Sequence, residues 1–247
     1  MRTGLFSGVA LAALLGSSAM AADMRPPPYK APPAQPQYFS WAGLYLGTHT
    51  GVAVGKTVTS NVAPFGGFDF PNVATAYELN PVSVFGGGQI GYNWQMSAFV
   101  FGGEIDVGYL GMRQALRQGD DKVEAKYGAY ATFTGRAGLA YDRLLTYVKG
   151  GAVIAQVRNI AGDLNSVTGA YDPSDVSTIS GGRWGWTIGS GFEYAIASNW
   201  TVKSEYLYMD FGSRRSTNLD GDFFDHRNQV HTWKVGLNYK WNGLPGY

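Results

Sequence analysis

From Phe39 onward, apolar and polar side chains alternate one by one, and no stretch of any length repeats at 3.6 residues. A period of two marks strands with one face in an apolar medium. It predicts eight strands: Ser40–Val54, Val82–Met96, Ala98–Leu110, Lys126–Tyr141, Leu144–Val157, Arg183–Ala195, Trp200–Phe211 and Val230–Trp241. The gaps between them alternate in length. Gly55–Pro81, Gly111–Ala125, Arg158–Gly182 and Gly212–Gln229 are long, whereas Ser97, Asp142-Arg143 and Ile196–Asn199 are short. Four long connections at one end and three tight turns at the other suit an even-stranded membrane barrel with short periplasmic turns and long external loops. Both chain ends then fall on the short-turn side.

The two faces differ in kind. On the third strand Phe99, Phe101, Ile105, Val107 and Tyr109 share one parity, and Glu104 and Asp106 the other. On the sixth, Trp184, Trp186, Ile188, Phe192 and Tyr194 oppose Arg183, Thr187 and Glu193; on the fourth, Tyr127, Phe133 and Leu139 oppose Thr132, Thr134 and Arg136. Val235, Leu237, Tyr239 and Trp241 oppose Lys234, Asn238 and Lys240 on the last strand. An eight-stranded interior is just wide enough for side chains to fill it. The bulky rings therefore belong outside, against lipid, and the polar parity inside. Two strands depart from the pattern. Leu207 and Met209 share the parity of Lys203 and Glu205, and Lys149 shares that of Leu145, Tyr147 and Val153.

This orientation sends Glu104, Asp106, Glu193 and Glu205 into the lumen with Arg136, Lys149, Lys203 and Lys234. Buried charges persist when they are paired and hydrogen-bonded. Four acids facing four bases predict a cross-linked interior rather than a wide aqueous channel. Aromatic residues collect near the strand ends, as the two interfaces of a bilayer demand. Trp41, Trp94, Tyr141, Tyr194, Trp200 and Trp241 lie toward the short turns; Tyr109, Tyr127, Trp184, Phe211 and Trp233 lie toward the long loops.

Composition agrees with a membrane barrel. Charged residues are 15% of the chain, against about 25% in ordinary soluble domains, while aromatics are 15% and glycines number 35. There is no cysteine, so neither a disulfide nor a thiolate metal site is possible. A formal charge of +1 gives no electrostatic case for nucleic acid. Residues 1–21 read as a secretory signal peptide: Arg2, an apolar core around Val9–Leu15, then Ala19-Met20-Ala21 before the cleavage point. Removing Arg2 from the 19 basic residues leaves 18, against 18 acidic. Residues 22–38 hold six of the eleven prolines and predict an extended periplasmic tail, about 50 Å at full reach. The barrel takes 39–247.

Few motifs point to catalysis. Gly86–Gly91 satisfies G-x-G-x-x-G but lies inside a strand with no helix after it, so it reads as close strand packing rather than a dinucleotide site. Glu104 and Asp106 lie on one face, whereas glycosidase carboxylates flank a scissile bond. The three histidines are His49, His226 and His231, and no metal set is assigned to them. A serine–histidine pair at the outer rim would need Ser213 or Ser216 near His231. In the last long connection, Arg214 and Arg215 are candidates for phosphates of lipopolysaccharide.

Taken together, Phe39–Gly55, Gly86–Gln95, Phe99–Tyr109, Thr134–Val153, Trp184–Gly212 and Val235–Trp241 resemble the small surface-antigen outer-membrane barrels of alphaproteobacteria, the porin-family or OmpA-like β-barrel domain. The resemblance implies a structural surface protein or porin of the cell outer membrane, with no cofactor and no catalytic residues. It also implies that Lys234, Gly236, Tyr239 and Trp241 form the insertion signal read by the barrel-assembly machinery, although Asn242–Tyr247 follows where such chains commonly end on the aromatic. The expected partners are outer-membrane lipid and lipopolysaccharide, with peptidoglycan or a host surface as further contacts. The leading expectation is a structural barrel with a filled lumen. The alternatives are a small-solute porin and a surface protein that binds ligands through its long loops.

Overall fold

The computed structural model describes residues 39–61, 76–164, 168–171, 176–219 and 223–241. The leader, the proline-rich tail up to residue 38, and the terminal Asn242–Tyr247 lie outside the described residues. Among the described residues nine strands form: β1 Gly43–Asn61, β2 Ala76–Leu79, β3 Val82–Met96, β4 Phe99–Gln118, β5 Asp121–Tyr141, β6 Leu144–Asp163, β7 Ser177–Ala195, β8 Trp200–Thr217 and β9 Phe223–Lys240. All ladders are antiparallel, and β1 closes the ring by pairing with β9 from Tyr45↔Lys240 to Asn61↔Phe224. β2 and β3 pair with successive parts of β1, so they form one wall in two pieces. Pro81 makes the break, because it has no N–H to donate; its carbonyl still accepts from Gly55 N at 2.7 Å. The result is an eight-walled antiparallel barrel.

The tight turns fall as expected. Ser97 (φ 57°) and Asp142 (φ 51°) adopt left-handed backbone in the two shortest, a conformation that short polar side chains tolerate. The long-loop end differs from expectation. The strands continue past their apolar alternation, and β4 and β5 stay paired to Gln118↔Asp121 across a turn at Gly119-Asp120. The supposed long connection Gly111–Ala125 is therefore a ladder. Both ends of Arg158–Gly182, residues 158–163 and 177–182, are likewise the outer ends of β6 and β7, paired to Ala161↔Ser177. The reason is physical. Apolar alternation stops where lipid stops, whereas backbone hydrogen bonding does not need lipid.

Three register shifts occur in the outer half, between Tyr109 and Met112, Tyr127 and Tyr130, and Asp210 and Ser213. Gly111 (φ 64°) and Gly212 (φ 65°) occupy two of them. An extra residue in one strand exchanges its faces beyond that point. This corrects two expected belt residues: Tyr127 and Phe211 turn inward and are buried.

The interior is layered. Trp41, Val100, Ala140, Leu145, Tyr147 and Ala195 pack at the short-turn mouth. A larger apolar cluster that includes Leu110, Met112, Tyr130, Val153, Leu207 and Met209 fills the outer half. Leu145, Val153, Leu207 and Met209 thus share parity with charges because both point inward. The acid–base contacts of the lumen gather at mid-height, while the outer half mixes apolar packing with buried polar groups such as Thr57, Asn159, His226 and Asn228. Outside, Phe101, Ile105, Val107, Ile188 and Val235 are exposed as a continuous apolar wall.

Lipid-facing charge is costly at mid-membrane and cheap beyond the interface. Ile105→Arg is expected to lower unfolding stability in vesicles by about 2–4 kcal/mol, and Leu116→Arg, on the outer extension of β4, by about 0–1 kcal/mol. Urea titrations of the two variants check the contrast.

Candidate functional site: the luminal charge web

The mid-lumen residues come from six strands, and alternate positions on each strand aim at the axis. Glu104 and Asp106 leave β4, Arg136 leaves β5, Lys149 leaves β6 and Glu193 leaves β7. Lys203 and Glu205 come from β8, and Lys234 from β9. None of the eight is more than 4% exposed. Lys149 Nζ lies 2.6 Å from Glu104 Oε1 and 3.1 Å from both Asp106 Oδ2 and Glu205 Oε1. Lys203 Nζ lies 2.9 Å from Glu104 Oε1. Lys234 Nζ meets Asp106 Oδ1 at 2.5 Å and Glu205 Oε1 at 2.8 Å. Arg136 Nη1 meets Glu193 Oε2 at 3.2 Å and stands 3.7 Å from Glu104 Oε2. All eight side chains therefore belong to one connected web with no net charge.

Neutral donors extend it, while Arg136 Nη2 is left without a hydrogen-bond partner among the described residues. Tyr45 donates to Glu104 at 2.7 Å, Tyr147 to Glu205 at 2.9 Å and Thr132 to Asp106 at 3.0 Å. Asn238 donates to Glu193 at 2.7 Å, and Thr201 donates to the same carboxylate. Arg136 Nε donates to Asn93 at 2.9 Å, and its guanidinium lies over the Tyr45 and Tyr147 rings, 4.6 and 5.2 Å from their centroids. Gly91 makes the Tyr45 contact possible, because a Cβ there would overlap the Tyr45 hydroxyl. Glu104, Asp106 and Glu205 cluster tightly enough to suggest a cation site. The ammonium of Lys149 touches all three, so the cation they hold is a lysine. Sequence reasoning did not assign Tyr45 and Tyr147 to the web; the parity of Tyr147 with Lys149, and of Tyr45 with His49, was the available signal.

Other assigned residues fall elsewhere. Trp94, Tyr141, Tyr194, Trp200 and Trp241 are exposed on the outer wall, but Trp41 is 1% exposed. This corrects its place in a lipid-facing belt. Its indole donates to the Asp142 carbonyl at 3.0 Å and its backbone N–H to Gln95 at 2.6 Å, which seats the ring in the short-turn mouth. On β9, Lys234 and Gly236 face inward and Tyr239 is half-buried, and Trp241, just past its end, is exposed. His231 bonds Tyr206 at 2.7 Å on the outer wall. Ser216 Oγ instead meets His226 Nε2 at 2.9 Å, with Thr59 Oγ1 3.0 Å from Nδ1. Burial and the nearby Arg183 push the His226 imidazole down to about 4.

Arg183 stands apart from the web. It is buried on β7 in the outer half, and Nη2 reaches the His226 carbonyl at 3.4 Å. Among the described residues, its Nε and Nη1 have no hydrogen-bond partner and no carboxylate pairs with it.

A profile of the outer membrane protein beta-barrel domain matches residues 8–240. The chain is 36% identical over 240 residues to the 31 kDa outer-membrane immunogenic protein of Brucella melitensis biotype 1, covering 93% of this chain and 96% of that one. It is 31% identical over 203 residues to the 22 kDa outer membrane protein of Rhizobium leguminosarum bv. viciae, covering 81% and 78%. Among solved structures, the outer membrane protein OprG of Pseudomonas aeruginosa aligns over 81% of this chain and 97% of its own, with a TM-score of 0.52 and 12% identity. That likeness is one of fold.

Breaking one partner of a buried charge web leaves the others uncompensated. Lys149→Met is expected to cost about 3–5 kcal/mol. Arg183→Met, which removes a buried charge with no counter-ion among the described residues, is expected to be neutral or stabilising; denaturant titration separates the two. His226 gives a pH signature. Its folded pKa is depressed, so the unfolded chain takes up protons first as pH falls below about 6.5. Stability should drop between about 6.5 and about 4, by roughly 3 kcal/mol in all. His226→Gln should remove that part of the pH dependence.

Proposed function

The chain belongs to the outer membrane protein beta-barrel domain family, and from that premise we propose that it is a structural surface barrel of the outer membrane with a closed lumen. The observation that carries this reading is the charge web. Eight ionised side chains cross the mid-lumen in mutual contact, with apolar packing above and below. Opening a water path would have to separate several short ion pairs at once. The protein thus adds a stiff, lipid-anchored wall to the membrane and does not conduct steadily.

The reading assigns no catalysis. The Ser216–His226 contact is structural in this account: its histidine is buried, resists protonation, and meets a threonine hydroxyl where a serine hydrolase places a carboxylate. Residues 22–38 serve as a periplasmic tail that approaches the peptidoglycan layer. The seating of Phe39 at the short-turn end supports this, since its N–H donates to Asp142 at 3.1 Å. Lys234, Gly236, Tyr239 and Trp241 serve the barrel-assembly machinery during insertion, and Lys234 then joins the web.

Planar-bilayer recording of the refolded protein tests the proposal. The wild type should show no large stable steps. Glu104→Ala, which strips Lys149 and Lys203 of a shared acceptor, should add brief openings. Large stable steps in the wild type would replace this reading with that of a small-solute porin.

A further inference from the structure

The outer wall carries a hollow just above the lipid-facing band, where the register shifts of β4 and β5 lie. It measures about 600 Å³. Gly111, Gly128, Gly181 and Gly182 line it without side chains, so the wall is concave there. Tyr109, 62% exposed, stands on its lower edge.

Three bases line the same hollow: Arg113, Lys126 and Arg158. They sit on neighbouring strands in direct register, Arg113↔Lys126 and Lys126↔Arg158. Like charges placed directly opposite across a ladder destabilise it. Two of them share one acid: Glu124 accepts from Arg113 Nε at 2.9 Å and lies 2.8 Å from Lys126 Nζ. Arg158 has no carboxylate partner among the described residues. The row therefore presents an excess of two positive charges sideways, toward the membrane rather than toward the lumen.

Height decides what can reach them. Arg113 lies four residues beyond Tyr109, about 13 Å along the strand at about 3.3 Å per residue and roughly 10 Å in height once the tilt is allowed for. Exposed tyrosine and tryptophan mark the headgroup level of a barrel, so the bases stand where phosphates of an outer-leaflet lipid lie. Guanidinium pairs with phosphate in bidentate fashion. Arg215, a candidate for that contact from the sequence, is already engaged: it grips Asp225 through Nε and Nη2 at 2.9 and 3.0 Å.

We propose that Arg113, Lys126 and Arg158, over the glycine-lined hollow, form a binding site for the phosphorylated headgroup of an outer-leaflet glycolipid. The site rests on the outer-membrane placement of the barrel but not on the closed lumen. A conducting barrel would leave it intact.

The test uses the full barrel refolded into phosphatidylcholine vesicles that contain bis-phosphorylated lipid A, its dephosphorylated form, or no lipid A. Bound lipid is counted by native mass spectrometry, with and without millimolar inorganic phosphate as competitor. The wild type should retain the phosphorylated form at least tenfold better than the dephosphorylated one, and free phosphate should not displace it. Arg113→Gln/Lys126→Gln/Arg158→Gln should lose that preference, as should Lys126→Gln/Arg158→Gln, which keeps the Arg113–Glu124 pair. In vesicles without lipid A, the double variant should unfold at the same or a higher urea concentration than the wild type, because a repulsive row has been relieved. Equal retention of both lipid forms, full retention by the double variant, or displacement by inorganic phosphate would overturn the assignment.

Discussion

A charge removed from water must find a counter-charge, and in this barrel that single requirement organises the interior. Glu104, Asp106, Glu193 and Glu205 are sealed among Arg136, Lys149, Lys203 and Lys234. Each base touches at least one acid, and tyrosine, threonine and asparagine side chains donate to the same carboxylates. The web also links distant parts of the chain. Lys234 on the last strand reaches across the lumen to Asp106 on β4, 128 residues earlier in sequence. Ring closure and charge neutralisation are therefore coupled: β9 cannot leave β1 without exposing unpaired carboxylates. The apolar layers at both mouths keep bulk water from competing for the same partners.

Much of this was legible in the sequence, and the part that was not has physical causes. The short-turn ends of most strands are readable to within a residue, because alternation, belt aromatics and turn chemistry coincide there. Val82–Met96 is an instance. The outer ends are not, since the strands outlast the lipid that imposes the pattern. Trp41, Tyr127 and Phe211 mislead for a related reason: an aromatic ring fits a lipid interface or a barrel mouth equally well, and only the chain path or a bulge decides. The membership of the web was visible in the parity of Glu104, Asp106, Lys203 and Glu205. The identity of each pair was not, because contacts across the lumen depend on the stagger of all eight walls. Leu145, Leu207 and Met209 looked like flaws in the pattern and are instead the dry layers that bound it.

The outer half obeys different rules from the membrane-embedded half. All three register shifts lie near the upper edge of the apolar wall. The ladder between β7 and β8 ends nearby, at Trp186↔Asp210. At this level the barrel stops being a cylinder held by lipid and becomes a set of paired ribbons. Inside it, Arg183 is buried with no carboxylate partner among the described residues, and outside it the wall carries charges beyond the acyl chains. Surface chemistry thus begins on the wall, below the connecting loops.

The central claim is that the buried charges stabilise one another across the lumen, and a double-mutant cycle on Asp106 and Lys234 tests it most directly. Asp106→Asn, Lys234→Met and the double variant would be unfolded by urea in vesicles of one composition. The account predicts that the double variant loses at least about 2 kcal/mol less than the sum of the single losses, because the second change removes a charge that the first left unpaired. Losses that add to within about 0.5 kcal/mol would contradict it.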